Sequence, residues 1–74
     1  MKPAEKLVMM ANQIARNLAV QGEEKAVAGT ATHIRMFWDP RMRAGIHAHL
    51  AAGGEGLDPT ARRAIEQLPP VSYP

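Results

Sequence analysis

The sequence predicts an all-α protein, a small array of about four helices. Apolar residues recur at steps of three and four along most of the chain, which is the period of a helix with one buried face. Two Asp-Pro pairs and one Gly-Gly pair separate these stripes, and no segment shows the alternating, β-branched pattern of a strand. We therefore expect a single helical domain over residues 1–68, followed by an extended C-terminal tail over 69–74.

The first two helices are expected over residues 3–20 and 23–38. Pro3 suits a first helical turn, and Gly22 suits the end of a helix. Gly29 lies inside the second helix, where it costs about 1 kcal/mol relative to alanine. Two interpretations of Gly29 stay open: a tolerated defect, or a point where another backbone approaches closely.

Two shorter helices are expected over residues 40–52 and 59–68. Asp39-Pro40 and Asp58-Pro59 each combine a capping residue with a proline suited to the first helical position. Gly53-Gly54 ends the third helix, and the prolines after Leu68 end the fourth. The connections are short, which favours antiparallel neighbours.

Composition limits the classes of function. The chain has no cysteine, which excludes disulfides, iron–sulfur clusters and cysteine-type zinc sites. Its net charge of +2 is too small to indicate nucleic-acid binding by itself. No apolar run approaches the roughly 20 residues of a membrane span, and no signal sequence is evident, so we expect a cytoplasmic protein.

The residues also offer little for catalysis. His47 and His49 are two apart and point to different sides of a helix, and His33 has no second ligand at metal-binding spacing. The glycines of residues 53–56 lack the Lys-Ser/Thr of a phosphate loop. We expect no catalytic residue, no cofactor and no metal. A chain this short buries only about 60% of its unfolded surface, so a partner or oligomerisation is expected to stabilise it.

The segment over residues 33–43 is the most distinctive. It contains the only Phe and Trp of the chain, Phe37 and Trp38, and three arginines. It is either a helix corner with core aromatics and solvated charges, or an interface, since Trp and Arg are enriched in binding hot spots. Met9 and Met36 fall outside the apolar stripes, so we expect them to be exposed or against a partner.

Several strings of this sequence resemble one family. They are Lys6-Leu7-Val8-Met9-Met10-Ala11-Asn12-Gln13-Ile14-Ala15, Ala26-Val27-Ala28-Gly29, Phe37-Trp38-Asp39-Pro40-Arg41-Met42-Arg43, and His49-Leu50-Ala51-Ala52-Gly53-Gly54-Glu55-Gly56-Leu57. In this order they resemble the delta subunit of NAD-dependent, molybdenum-type formate dehydrogenases. Asn17-Leu18 departs from the aromatic pair expected there in many relatives, which affects packing near the end of the first helix.

The resemblance implies a role without chemistry. In such enzymes a large alpha subunit carries a molybdopterin-type cofactor and iron–sulfur clusters, and beta and gamma subunits pass electrons to NAD. The delta subunit is a small cofactor-free component that supports assembly or quaternary structure. The alpha subunit is the first expected partner, beta and gamma are further candidates, and the isolated chain could form a homodimer.

We expect the docking surface to combine the corner with the polar stripe of the first helix. The partner-binding residues are then Asn12, Gln13, Arg16, Arg35, Phe37, Trp38, Arg41 and Arg43. Two alternatives stay open. One is a transient chaperone for cofactor insertion into the same enzyme. The other is a nucleic-acid-binding module built on Arg35, Arg41, Arg43, Arg62 and Arg63, which the low net charge disfavours.

Overall fold

A computed structural model of the chain describes residues 3–69 and contains four helices. These are α1 (Pro3–Leu18), α2 (Glu23–Phe37), α3 (Pro40–Ala51) and α4 (Pro59–Glu66), with a 3₁₀ turn at Ala19–Gln21. Over this part of the chain there is no strand, so the all-α prediction is confirmed. Each helix ends one or two residues earlier than the sequence suggests. The expected tail, apart from Pro69, lies outside the described residues.

The two Asp-Pro pairs start their helices differently. Asp39 accepts a hydrogen bond of 2.9 Å from the backbone N–H of Met42, so its side chain caps α3 as expected. Asp58 has the extended backbone of a capping residue, but its side chain makes no capping hydrogen bond. Its carboxylate lies 3.3 Å from Nε of Arg16 in α1 instead. The expected side-chain cap of α4 is therefore wrong, because a tertiary ion pair takes its place.

Helix α1 packs against the other three helices, and the core lies between them. Ile34, Ile46 and Ile65, one from each of α2, α3 and α4, are fully buried. Burial of one such side chain stabilises the fold by about 1.5–3 kcal/mol. None of the helices within residues 3–69 combines the length and apolar character that crossing a bilayer requires.

Two glycines lie where α1 side chains approach other helices. A Cβ built at Gly29 of α2 would lie 2.9 Å from Cδ1 of Leu18, and one built at Gly45 of α3 would lie 2.9 Å from Cδ1 of Leu7. Gly29 therefore marks a close approach rather than a tolerated defect. The group that approaches is a leucine side chain, not the backbone that the sequence interpretation named.

The loop between α3 and α4 is held by side chains on either side of it. Gly54 has a φ of +68°, a conformation that favours glycine. Arg62 of α4 donates from Nη2 to the carbonyl oxygen of Gly53 at 2.8 Å. Nε2 of His49 lies 2.8 Å from the carbonyl oxygen of Glu55. The structure thus gives His49 a partner within the loop that follows it.

Candidate functional site

A surface groove of about 470 Å³ runs between α1 and the end of α2. Its α1 side is a row of residues at helical spacing, and its α2 side is His33 together with Trp38, the residue after α2. The α1 residues are Lys6, Met9, Met10, Gln13 and Ile14. Most of this lining is apolar, so the groove offers a surface that excludes water when it is covered.

The floor and the rim of the groove differ in burial. Trp38 is only 5% exposed and belongs to the core cluster, and the half-buried Met10 and Ile14 pack against that cluster. Met9 on the rim is 61% exposed. The floor is thus part of the folded core, and the rim presents a flexible apolar side chain to solvent.

Phe37 extends this apolar surface beyond the groove. Its side chain is 70% exposed, and its ring centroid lies 4.8 Å from that of His33, which lines the groove. Met36 is 67% exposed as well, so the expected exposure of Met9 and Met36 is confirmed. Exposed large apolar side chains beside a groove are typical of a binding surface.

The structure brings together three of the eight residues that the sequence indicated for docking. Gln13 and Trp38 line the groove, and Phe37 adjoins it through His33. Arg35 lies elsewhere, in a smaller cleft of about 170 Å³ between α2 and the segment after α4. Because Trp38 is buried, it contributes the floor of the surface rather than an exposed anchor.

Asn12 and Arg16 contact another part of the chain. Asn12 is 7% exposed, and Nδ2 donates to the carbonyl oxygen of Gly56 at 2.9 Å. Its Oδ1 accepts from the backbone N–H of Asp58, also at 2.9 Å. Arg16 forms the ion pair with Asp58 described above. These two side chains join α1 to the loop before α4, so the structure accounts for both without a partner.

The remaining two arginines lie in the first turns of α3. Arg43 is half-buried, and its Nε atom is buried without a hydrogen-bond partner among the described residues. Arg41 is exposed and has an interaction within the chain. The eight predicted residues therefore do not form one continuous surface.

The predicted docking residues do not include Lys6, Met10, Ile14 or His33, although His33 lies in the segment over residues 33–43 singled out above. Met10 and Ile14 belong to the apolar stripe of α1, which is expected to face the core, and both are half-buried against it. Their neighbours Lys6 and Met9 lie on the flank of the same stripe. Helical spacing alone could have placed these side chains together, but not opposite His33, because that depends on how α1 and α2 pack.

The groove contains a single lysine, whereas a cluster of ion pairs lies at the opposite end of α2. Lys6 is the only lysine or arginine of the groove lining, which contains no carboxylate. At the start of α2, Arg63 donates to Glu23 at 2.8 Å and to Glu24 at 3.0 Å. Hydrogen bonds from Thr60 and Arg63 lower the pKa of Glu23, and those to Glu24 and Glu23 raise the pKa of Arg63. These carboxylates are thus engaged away from the groove.

Within residues 3–69 no three side chains of His, Asp or Glu are grouped to hold a metal ion. An apolar groove on an all-helical fold is typical of a small protein that binds other proteins. Residues 6–65 match the family model of the NADH-dependent formate dehydrogenase delta subunit, FdsD. The chain belongs to this family, which confirms the resemblance of its sequence strings. No curated protein and no solved structure matches the chain.

Proposed function

We propose that the chain is a non-catalytic accessory subunit of a cytoplasmic NAD-dependent formate dehydrogenase complex. It supports assembly or quaternary stability through protein–protein contacts, and the large alpha subunit is its first partner. Family membership over residues 6–65 is the observation that carries the proposal. The exposed apolar side chains of Met9 and Phe37 support it, because a small chain gains stability when a partner covers such groups.

The docking surface in this proposal centres on the groove. Gln13 and Phe37 are the exposed predicted residues at or beside it, and Trp38 holds its floor. Arg35, Arg41 and Arg43 provide additional charged contacts, with Arg35 available because it makes no ion pair within residues 3–69. Asn12 and Arg16 act indirectly, by fixing α1 against the loop before α4.

The decisive experiment is affinity purification of the tagged full chain from its native cells. Mass spectrometry is expected to find the formate dehydrogenase alpha, beta and gamma subunits in stoichiometric amounts. A resident subunit must also be present in the purified, active enzyme. If the active enzyme lacks the chain although precursor forms contain it, the chain is a transient chaperone for cofactor insertion. If no formate dehydrogenase subunit is recovered, the proposed function is wrong.

The contacts of α4 weigh against the nucleic-acid alternative. Arg62 bonds the carbonyl oxygens of Gly53 and Gly54, and Arg63 bonds Glu23 and Glu24. Arg41 also has an interaction within the chain, so three of the five arginines on which that alternative depends are engaged there. Binding to DNA through phosphates would weaken steeply with added salt. A titration against duplex DNA at low salt is expected to show no such binding.

A further inference from the structure

We propose that the groove binds an acidic amphipathic helix of another formate dehydrogenase subunit, an inference that rests on the function proposed above. The apolar face of this helix packs on Trp38 and on the α1 side of the groove. A carboxylate beside that face pairs with Lys6. The inference names the chemistry of the partner segment, which family membership alone does not give.

The apolar floor of the groove is ordered before any partner binds. Met10 and Ile14 are half-buried and Trp38 is nearly fully buried, so the floor of the groove is already ordered by the core. Met9 on the rim and Phe37, which adjoins the groove through His33, are both more than half exposed. A preformed floor lowers the entropic cost of binding, and a flexible methionine adapts to the shape of the incoming side chains.

The positive charge of the groove favours a negatively charged partner segment. Lys6 is exposed and makes no ion pair within residues 3–69, and His33 is the other group of the lining that can carry positive charge. No carboxylate lines the groove. Glu5 and Glu55 line an adjoining cleft on the other side of Met9, which lines both the cleft and the groove. A carboxylate from a partner therefore meets a cation here without a competing negative charge in the lining.

Other acidic side chains of the chain have partners elsewhere. Arg63 binds Glu23 and Glu24 at the far end of α2, and Asp58 pairs with Arg16. Asp39 caps α3. Neither these four nor Glu5, Glu55 and Glu66 line the groove, so the chain itself supplies no carboxylate there and a partner segment can supply one.

The shape of the lining favours a helix. Lys6, Met10 and Gln13 follow one another at steps of four and three, so they form a row along one side of α1. This row is about 10 Å long, which is close to two helical turns. An amphipathic helix that binds in a groove presents its anchors at i, i+3 or i+4, and i+7, over the same length.

A matched pair of charge-reversal variants tests the proposed ion pair between Lys6 and the partner carboxylate. Lys6 and Lys25 are both exposed and make no ion pair in the described chain, but only Lys6 lines the groove. Lys6→Glu and Lys25→Glu change the net charge equally. Binding of each tagged full chain to formate dehydrogenase purified without it is measured at low and moderate salt. Lys6→Glu is expected to weaken binding roughly three- to tenfold, with a smaller loss at higher salt, whereas Lys25→Glu leaves it unchanged. Equal effects of the two variants overturn the inference.

A photo-crosslinking amino acid tests whether the apolar face of a partner helix lies in the groove, and it identifies that partner segment. It replaces Met9 on the groove rim or, as the control, Val20, which is 89% exposed and does not line the groove. Both variants are purified in the complex from native cells. The Met9 position is expected to give a crosslinked peptide of another subunit that has apolar residues at helical spacing and a nearby Asp or Glu.

The outcomes separate this inference from the proposed function. A Met9 crosslink to a second copy of this chain or to a basic peptide overturns the proposal of an acidic helix. Crosslinking from Met9 that is no more frequent than from Val20 overturns it as well. In each case the complex with formate dehydrogenase is still recovered, so the proposed function stands. If neither variant recovers any formate dehydrogenase subunit, the proposed function fails and the inference fails with it. Circular dichroism melting curves of the two crosslinker variants, at Met9 and at Val20, show whether each is folded.

Discussion

The hydroxyl of Thr60 donates a hydrogen bond of 2.7 Å to Oε1 of Glu23. This contact joins the first turn of α4 to the first turn of α2, between residues 37 positions apart. Arg63 reaches the same carboxylate from the next turn of α4. The start of α2 thus depends on a charged carboxylate, whose negative charge is also favourable at the positive end of the helix dipole.

The stability of the fold is expected to fall in acid partly through Glu23. Hydrogen bonds from Thr60 and Arg63 hold the pKa of Glu23 below its ordinary value of 4.5. The unfolded chain therefore binds this proton more readily, and the contribution of Glu23 is present above about pH 4.5 and lost as pH falls through the folded pKa. The melting temperatures of the wild type and Glu23→Gln should differ near neutral pH and converge in acid.

Thr60→Val separates the hydrogen bond from the ion pair. The variant removes the strongest cause of the lowered pKa of Glu23 but keeps Arg63. An NMR titration of the Glu23 side chain should show its pKa rising toward the ordinary value. If the pKa of Glu23 stays where it is in the wild type, the contact does not form in solution.

Asn12→Ala should destabilise the fold by roughly 1–3 kcal/mol, because it removes two part-buried hydrogen bonds that contribute about 0.5–1.5 kcal/mol each. The groups that lose their partner are the carbonyl of Gly56 and the N–H of Asp58. Gln13→Ala is the matched control, because Gln13 is exposed and bonds only Asn17 in the same helix, at 3.3 Å. It should change stability by less than about 0.5 kcal/mol. Urea unfolding followed by circular dichroism measures both, and equal effects would contradict the role of Asn12.

Trp38→Ala should reduce folding stability, whereas Phe37→Ala should reduce binding to the partner. Trp38 is buried, so its truncation should cost about 3–5 kcal/mol of folding stability and leave little folded chain. Phe37 is mostly exposed, so its truncation should leave the melting temperature nearly unchanged. It should instead weaken association with the large subunit, by about 2 kcal/mol if Phe37 is a hot spot. A Phe37→Ala chain that binds as tightly as the wild type would remove Phe37 from the docking surface.

Gly54→Ala and Gly45→Ala should also differ in their effect on the free energy of unfolding. A Cβ at Gly54 would lie 2.8 Å from Nη2 of Arg62, and its φ of +68° costs any other residue about 1–2 kcal/mol. We expect a loss of about 2–3 kcal/mol, since the hydrogen bonds of Arg62 are displaced as well. Gly45 is helical, and its Cβ would meet only the end of the flexible Leu7 side chain. There the gain of about 1 kcal/mol in helix propensity offsets the shift of Leu7, so thermal unfolding should show little net change.

The positions of the helices could be predicted because local signals determine them. Asp39 with Pro40, and Pro59 after Asp58, begin helices where the sequence indicates. The apolar stripe of α2 supplies Val27 and Ile34 to the buried core. These features depend on residues a few positions apart, which a single sequence displays directly.

The roles of several polar residues could not be predicted. Asn12 lies among polar residues of α1 and resembles a surface side chain, yet its partners are 44 and 46 positions away. Arg62 and His49 likewise bind backbone carbonyls of the loop between α3 and α4. Such pairings depend on how the helices pack, which helical periodicity does not reveal.

The bond between Asn12 and Gly56 has a consequence for the newly made chain. Ribosomes add about 5–20 residues per second. Gly56 lies 44 positions after Asn12, so it is added roughly 2–9 s later. During that interval the bond cannot form, so α1 is made before the loop that fixes it exists. The final position of α1 is therefore reached only after most of the sequence has been made.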